Sequence, residues 1–490
     1  MMSGQKEITS MRSGVSNGRL LPRGSVWKFA IVSVLIFIAV FSVLLIALTN
    51  LQHGSDLGVV LTTPLAAVTP DSQFIIHSFP DTIEGIRVFN DQLAVWEMSE
   101  AQFEFAATHY VGAQKVFVSD VRRLRAHNPD FVILNYRLGL GLGYQNTIGD
   151  CQPNGSWLEV IEGEKWIREY PENPPDEWFY KIDDQRVLFC DWGWYVMDIS
   201  NASWREYWSG EVLRQLRANA ADGVFVDGLF PPNFYGGDKF NPNLPAEDQA
   251  FEGAWSSHIE DFIAFAQTGE LADYYFIPNV GEWVTGRDVT DYSEADGLMV
   301  EGFGRWNTGK YFSAQDGDWQ MQMDRILGMV NLDKIILLQQ YVNEVDNLSD
   351  RTFLLGSYLL VKGNHTYINF ELSSEPEWFP EYEIPVGTPV GGIPFSISSL
   401  WRSDWGVYAR AYDNGLVLVN PSDQVQEIEF QKTYYQAFPY GGGVVPPNGD
   451  VSSWEVDYVP VTSVSLGPNR AVILLDTLPD QKAGLGSRQR

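Results

Sequence analysis

Short apolar runs alternate with stretches of helical periodicity from about residue 75 to residue 385. The run Val224–Val226 is apolar at every position, which is typical of a strand buried on both faces of a parallel sheet. Similar runs predict eight strands in all, at residues 85–89, 114–118, 131–136, 223–227, 275–278, 297–301, 334–339 and 366–370. Strands that alternate with helices indicate a parallel α/β sheet.

Six of these strands are followed by a segment whose apolar residues have helical spacing. The first helix opens at Ser99, which forms a capping box with Gln102. The other helices are predicted at residues 119–127, 203–219, 252–268, 319–330 and 350–361. No helix is predicted between the fifth and sixth strands. The pattern therefore predicts an α/β fold, a (β/α)8 TIM barrel over residues 75–385.

The pattern changes after Pro385. Two apolar strands flank the turn Asp413-Asn414-Gly415, a strong signal for a β-hairpin. The predicted strands lie at residues 407–412, 416–419, 427–430, 453–458 and 471–475. These strands predict a small antiparallel β-sandwich over residues 386–477, followed by a flexible tail at 478–490.

A different pattern occupies the N-terminus. Residues 29–48 form a run of 20 residues without a charge, long enough to cross a bilayer as one transmembrane helix. Five basic residues and one acid precede this run, which places the arm, residues 1–28, in the cytoplasm. We therefore expect a single-pass membrane protein with an extracytoplasmic linker at 49–74 and the barrel outside.

Charge and cysteines narrow the class of protein further. The formal net charge of −30 argues against a nucleic-acid partner. Both cysteines, Cys151 and Cys190, lie in the exported part, where a disulfide is allowed and two free buried thiols are the alternative. Their spacing does not suggest a metal site.

Carboxylates at the ends of strands are the candidate catalytic groups. Asp227 ends the fourth strand in Ala221–Gly228, and Glu301 ends the sixth in the similar segment Ala295–Gly302. Catalytic groups of α/β barrels lie at this end of the strands, although an aspartate there can also cap a turn. The sequence has no HExxH, G-x-S-x-G or Walker-type motif, so zinc hydrolysis and a serine triad are poorly supported.

A carboxylate pair near many aromatic residues suits cleavage of glycosidic bonds. The long segment 144–197 is rich in Trp and Tyr, and Trp192 and Trp194 are candidate platforms for sugar rings. Simple packing of a long loop is the alternative for about half of these aromatics. Further candidate substrate contacts are Asp198, Asn279, Gln340 and Glu371.

The sequence resembles the hypothetical glycosyl hydrolase families, which pair a TIM barrel with a C-terminal β-sandwich. The resemblance rests on residues 197–204 and 221–228, and on Asn128-Pro129-Asp130, Val300–Gly304 and Phe379–Tyr382. It implies a glycoside hydrolase without an organic cofactor or metal.

The resemblance also implies roles for the carboxylates. Asp227 matches the nucleophile that ends strand four in several barrel glycosidases. Some families place the acid/base at the end of strand five, where this chain has Asn279. Glu301 is the preferred acid/base, and Glu282 is the alternative.

Three functions remain open at this point. The first is a membrane-anchored exported glycoside hydrolase acting on a polysaccharide, and the second is a catalytically inactive barrel that binds a glycan. The third is a scaffold for protein partners. Carboxyl groups about 5–5.5 Å apart would indicate a retaining enzyme, and about 6.5–9.5 Å an inverting one.

Overall fold

The computed structural model describes residues 75–93, 98–143, 151, 158–169, 171–342, 344–373 and 375–479. The predicted arm, anchor and linker lie outside this part of the chain, as does most of the predicted tail. Within the described ranges, no helix combines the length and the apolar character that crossing a membrane requires.

Eight parallel strands form one sheet, as the sequence predicted. They are β1 (Val88–Asn90), β2 (Tyr110–Gln114), β3 (Val132–Leu138), β4 (Gly223–Asp227), β5 (Tyr275–Pro278), β6 (Gly297–Glu301), β7 (Ile335–Tyr341) and β8 (Thr366–Glu371). The strand order is β5-β4-β3-β2-β1-β8-β7-β6. A parallel bridge between Asn279 and Met299 joins the two end strands, so the sheet is a nearly closed barrel.

In the described part of the chain, six α-helices surround the barrel. They are α1 (Glu100–His109), α2 (Val118–His127), α3 (Ala202–Asn219), α4 (Gln249–Thr268), α5 (Asp318–Asn331) and α6 (Leu348–Val361). The capping box at the start of α1 is present, with the Ser99 side chain accepting from the Gln102 backbone. Between β5 and β6 the described chain forms a single 3₁₀ turn, Tyr292–Glu294, as the missing helical pattern indicated.

The second strand lies earlier than predicted. Its residues are Tyr110–Gln114, and the predicted range 114–118 instead covers the last residue of β2, a loop and the first residue of α2. The reason is packing around Gly112, since a Cβ there would lie 2.4 Å from the carbonyl oxygen of Val132. The close strand contact thus needs a glycine, a residue that weakens a strand signal in sequence.

The repeated Ala-Asp-Gly segments hold neighbouring strands together at the N-terminal end of the barrel. Asp222 is fully buried and accepts from the backbone N–H of Ile133 at 2.7 Å. Asp296 accepts in the same way from the backbone N–H of Phe276 at 2.8 Å. Each motif therefore starts a strand with a carboxylate that fixes the strand beside it.

A six-stranded antiparallel sheet follows the barrel and is consistent with the predicted sandwich. Its strands are β9 (Val407–Tyr412), β10 (Gly415–Asn420), β11 (Gln426–Tyr440), β12 (Glu455–Leu466), β13 (Arg470–Leu475) and the short edge pair Trp401–Arg402. β11 and β12 are much longer than predicted. An irregularity between Glu429 and Tyr434 shifts their pairing, which hides the continuous strand from a sequence pattern.

Helix α6 joins the barrel to this sheet. At Gly356 a Cβ would lie 2.5 Å from the Ala471 side chain, so the helix packs directly on β13. Arg410 of β9 donates to the carbonyl oxygens of Leu359 and Leu360 at 3.1 and 3.0 Å. A cation at these last carbonyls satisfies acceptors that have no partner within the helix.

Candidate active site

The C-terminal mouth of the barrel is lined by polar side chains above an apolar floor. Phe225, Ile277 and Met299 belong to a buried cluster inside the barrel. Side chains two positions later along a strand point to the same side. The rule places polar residues directly above that floor, at Asp227, Asn279 and Glu301.

One amide connects the two predicted catalytic carboxyl groups. Nδ2 of Asn279 donates to Oδ1 of Asp227 at 2.9 Å and to Oε2 of Glu301 at 2.7 Å. The backbone N–H of Gly281 donates to the Asn279 side-chain oxygen at 3.0 Å, which fixes this orientation of the amide. Because the two N–H bonds of one amide diverge by roughly 120°, the two accepting oxygens lie roughly 5 Å apart.

Two tyrosines complete the hydrogen bonds of the pair. The Tyr136 hydroxyl donates to Oδ2 of Asp227 at 2.6 Å, and the Tyr341 hydroxyl donates to Oε1 of Glu301 at 2.9 Å. Burial and then the Asp227 charge raise the pKa of Tyr136 well above its ordinary value, so the phenol remains a donor. Each carboxyl group therefore has one tyrosine partner and shares one amide.

Glu301 has the environment of a general acid. Burial and then the neighbouring charge of Asp227 raise its pKa to about 7, while the bonds from Asn279 and Tyr341 oppose the rise. A carboxyl group with such a pKa keeps its proton near neutral pH.

The alternative acid, Glu282, lies beside this pair. Its Oε2 accepts from the Tyr235 hydroxyl at 2.7 Å, and burial raises its pKa. A Cβ on Gly302 would lie 2.5 Å from Cγ of Glu282, so the side chain packs against the backbone that follows Glu301. The position is that of a neighbour of the acid rather than of a partner for Asp227.

A second carboxyl pair occupies the opposite side of the mouth. Asp91 follows β1 and accepts from Gln114, while Glu371 accepts from Gln92 at 2.7 Å and from Gln339 at 2.5 Å. Burial raises the pKa of Asp91, and burial with the charge of Asp91 raises that of Glu371 well above the ordinary value. In both groups the burial that raises the pKa is opposed by the nearby positive charge of Lys115.

Sequence reasoning found Glu371 but missed Asp91, Lys115, Tyr136 and Tyr341. Asp91 directly follows a strand and Asp227 ends one, so the position of Asp91 was an available signal. Lys115 was hidden because the second strand was placed four residues too late. The two tyrosines lie on strands where an aromatic residue is also an ordinary core residue.

Aromatic residues form a wall on the Asp227 side. The segment after β3 contributes short antiparallel strands at Gly141–Leu142, Leu188–Phe189 and Trp194–Val196, which form one four-stranded sheet with Phe240–Asn241. An open cleft of about 450 Å³ lies between this wall and Asp227. Its aromatic lining consists of Phe189, Trp194, Tyr195, Phe230, Tyr235 and Phe240.

The predicted tryptophans differ in position. Trp194 lines the cleft, and Trp192 is 45% exposed and stacks on it with ring centroids 5.7 Å apart. Cys190 lies just before them and is joined by a disulfide bond to Cys151. The bond ties the wall to an earlier part of the same long segment.

Two predicted substrate contacts have other roles in the structure. Asp198 is not among the residues that line the cleft, because its carboxylate accepts from Ser200 in the turn before α3. Gln340 is buried and donates to the carbonyl oxygens of Phe303 and Arg305. Its neighbour Gln339 reaches Glu371, since adjacent strand residues point in opposite directions.

Across the described ranges, no group of three or more His, Cys, Asp or Glu side chains has an arrangement that could hold a metal ion.

A family model described as hypothetical glycosyl hydrolase family 15 matches residues 125–416. A search of curated proteins gives no match.

Several solved structures are similar in outline. A GH27 β-L-arabinopyranosidase from Geobacillus stearothermophilus is 11% identical, with 82% of this chain and 98% of that chain covered and a TM-score of 0.38. A maltogenic α-amylase from Thermotoga neapolitana is 11% identical, with 80% and 99% covered and a TM-score of 0.36.

A cycloisomaltooligosaccharide glucanotransferase from Paenibacillus is also 11% identical, with 79% of this chain covered and a TM-score of 0.30. The match spans 55% of that enzyme's length. Scores this low carry no conclusion about the substrate or the mechanism of this chain.

Proposed function

Since the chain belongs to hypothetical glycosyl hydrolase family 15 and is thus a glycoside hydrolase, we propose that it cleaves a polysaccharide with retention of configuration. Asp227 is the nucleophile and Glu301 the acid/base. The observation that carries the proposal is the shared Asn279 amide, because its hydrogen bonds to both groups bring the two accepting oxygens to roughly 5 Å apart, the separation expected of a retaining enzyme.

In the first step Asp227 attacks the anomeric carbon, and the bond to the leaving oxygen breaks as Glu301 protonates that oxygen. The products are a glycosyl ester on Asp227 and the released alcohol. Tyr136 and Asn279 both donate to the Asp227 carboxylate, so its attacking oxygen is held in a fixed position. Glu301 can supply this proton near neutral pH because its pKa is raised.

In the second step Glu301 changes its role. Esterification removes the charge of Asp227, which is the second-largest cause of the raised Glu301 pKa. The pKa of Glu301 then falls, and its carboxylate can take a proton from the water that attacks the anomeric carbon. This breaks the ester and restores both carboxyl groups.

The glycan-binding alternative drew its support from the missing acid at strand five. Asn279 occupies that position and donates to both members of the pair, so the pair does not need an acid there. The aromatic wall around the cleft fits a sugar chain in either function.

The test is turnover by the purified full-length protein on a panel of polysaccharides, followed as released reducing ends. The anomeric configuration of the first product, read by proton NMR, should match that of the substrate. Asp227→Asn should lose at least about 100-fold in kcat/KM. Inversion, or binding without cleavage by both proteins, would contradict the proposal.

A trapping experiment addresses the nucleophile directly. A 2-fluoro glycoside of the preferred sugar should accumulate as a covalent adduct on the peptide that contains Asp227. An adduct on Glu282 or Glu301 would reassign the roles.

We also propose that residues 29–48 anchor the enzyme in a membrane with the barrel outside the cytoplasm. The support is the uncharged run and the excess of basic residues before it. Deletion of these residues should move the protein from the membrane to the soluble fraction of its host. Retention in the membrane fraction after the deletion would contradict the anchor.

A further inference from the structure

Lys115 is unusual in the mouth of the barrel in both charge and backbone. It directly follows β2, and its charge acts on the carboxyl groups of Asp91 and Glu371. Its φ of 59° lies in the left-handed region, which favours glycine. A lysine held in this conformation at a candidate site suggests that its side chain has a function there.

The left-handed backbone redirects the side chain. Gln114, the last residue of β2, points into the barrel, where it donates to Asp91. If the strand continued, the next side chain would point to the opposite side. Instead the strand ends, and the Lys115 ammonium lies 4.7 Å from the centre of the Tyr136 ring, inside the mouth.

Three neighbours hold this ammonium without consuming its hydrogen bonds. The face of Tyr136 attracts the cation, and the carboxyl groups of Asp91 and Glu371 interact with its charge. Lys115 Nζ makes no hydrogen bond with any residue in the described part of the chain. The three N–H donors of the ammonium therefore remain available to a ligand.

Tyr136 connects this ammonium to the nucleophile. Its ring carries Lys115 on one face, and its hydroxyl donates to Asp227 at 2.6 Å. We place a sugar whose anomeric carbon lies against Asp227 over the same ring, because the Tyr136 hydroxyl lies at the Asp227 carboxylate. Its hydroxyl groups then come within reach of the ammonium.

We propose that Lys115 donates a hydrogen bond to a ring hydroxyl of the sugar that Asp227 attacks, and so selects a neutral glycone. The inference rests on the proposed hydrolase function. A uronic acid is disfavoured because its carboxylate would meet Asp227 and also Asp91 and Glu371, the two carboxyl groups that act on the single lysine. A neutral sugar can accept from Lys115 and donate to Asp91 or Glu371.

The test compares Lys115→Met and Lys115→Gly with the parent, all as full-length proteins. The substrates are a panel of 4-nitrophenyl glycosides and the monodeoxy analogues of the one that the parent cleaves best. Both variants should lose about 10- to 100-fold in kcat/KM on that glycoside. For one deoxy analogue, which lacks the hydroxyl that Lys115 contacts, kcat/KM of the parent should fall by a similar factor. The kcat/KM of the variants should hardly fall further on that analogue.

Lys115→Gly separates function from folding. Glycine adopts the left-handed backbone without strain, so this variant should unfold at the same temperature as the parent or a higher one. An impaired enzyme with undiminished thermal stability supports a role in substrate binding.

Several outcomes would overturn the inference. Cleavage by the parent with unchanged kcat/KM in both variants would remove the role of Lys115 and leave the hydrolase function intact. Equal losses on the best glycoside and every deoxy analogue would show that Lys115 only balances charge. Faster cleavage of uronides than of neutral glycosides would contradict the proposed selectivity. Failure of the parent to cleave any glycoside or polysaccharide would remove both proposals.

Discussion

Asp227 and Glu301 accept hydrogen bonds from the same amide nitrogen, at 2.9 and 2.7 Å. The two residues end different strands, β4 and β6, and the amide belongs to the residue that follows the strand between them. A neutral donor between two acids allows them to lie close together while one ionises and the other keeps its proton. The predictions below follow from this arrangement and from the contacts around it.

The first prediction concerns the pH dependence of the proposed reaction. Glu301 has a pKa of about 7 and must be protonated to release the leaving group. We therefore expect kcat/KM to fall as pH rises through about 7, and Glu301→Gln to abolish this alkaline limb. On glycosides whose leaving group needs no proton, the Glu301→Gln variant should lose far less activity. An unchanged limb in Glu301→Gln would assign the acid elsewhere, with Glu282→Gln as the next variant to measure.

The second prediction concerns stability at Glu301. Its pKa is raised from 4.5 to about 7 in the folded protein, so as pH rises through this window the unfolded chain ionises first and folding becomes less favourable. Glutamine cannot ionise, so the replacement removes the cost of a buried charge at this position. The unfolding free energy of Glu301→Gln should therefore be up to about 3 kcal/mol higher than that of the parent at pH 8. The gain should shrink at pH 5. Urea unfolding at both pH values measures it, with the exposed Asp130→Asn as the control.

The third prediction concerns the shared amide. Asn279→Ala removes a donor that lowers the pKa of Glu301, so the alkaline limb should move to higher pH. The loss of bonds to both carboxyl groups should reduce kcat/KM by about 10- to 100-fold. Asn128→Ala is a suitable control because Asn128 bonds to Ala107 at the other end of the barrel. Equal pH profiles in the Asn279 variant and the parent would contradict the role of the bridge.

The fourth prediction concerns Asp222 at the opposite end of β4. Its buried carboxylate accepts from Ile133, Arg125 and His77 at 2.7–2.9 Å. Asp222→Ala leaves these donors unpaired and should cost about 3–5 kcal/mol of unfolding free energy. Turnover per folded molecule should be unchanged at low temperature, since Asp227 lies at the other end of the strand. A loss of kcat without a loss of stability would show a functional link that the contacts do not suggest.

The fifth prediction concerns the aromatic wall. Trp194 lines the cleft beside Asp227, so Trp194→Ala should raise KM for oligosaccharides by about 5- to 10-fold, with a smaller change in kcat. Trp401→Ala is the control, because Trp401 lies on the edge of the antiparallel sheet and not in the lining of the cleft. Equal effects of the two changes would indicate that Trp194 does not contact the substrate.

The local pattern of apolar residues was sufficient to predict most strands of the barrel. Uninterrupted apolar runs are required wherever a parallel strand is covered on both faces, so β3 to β8 were found close to their observed positions. The second strand was misplaced because its glycine serves a contact with β3, which lies about 20 residues away in sequence. Likewise, the full length of β11 and β12 depends on pairing that continues across an irregularity.

The sequence by itself determined the eight-stranded order and the two strand-end acids, since both follow from the apolar period and from where each run stops. The tertiary structure alone decided how these groups act together. It made Asn279 the link between the acids, added Asp91, Lys115 and two tyrosines to the mouth, and turned Asp198 and Gln340 to structural roles. The physical reason is that hydrogen bonds and charge interactions in the mouth act across strands, whereas the sequence pattern records only which way each strand faces.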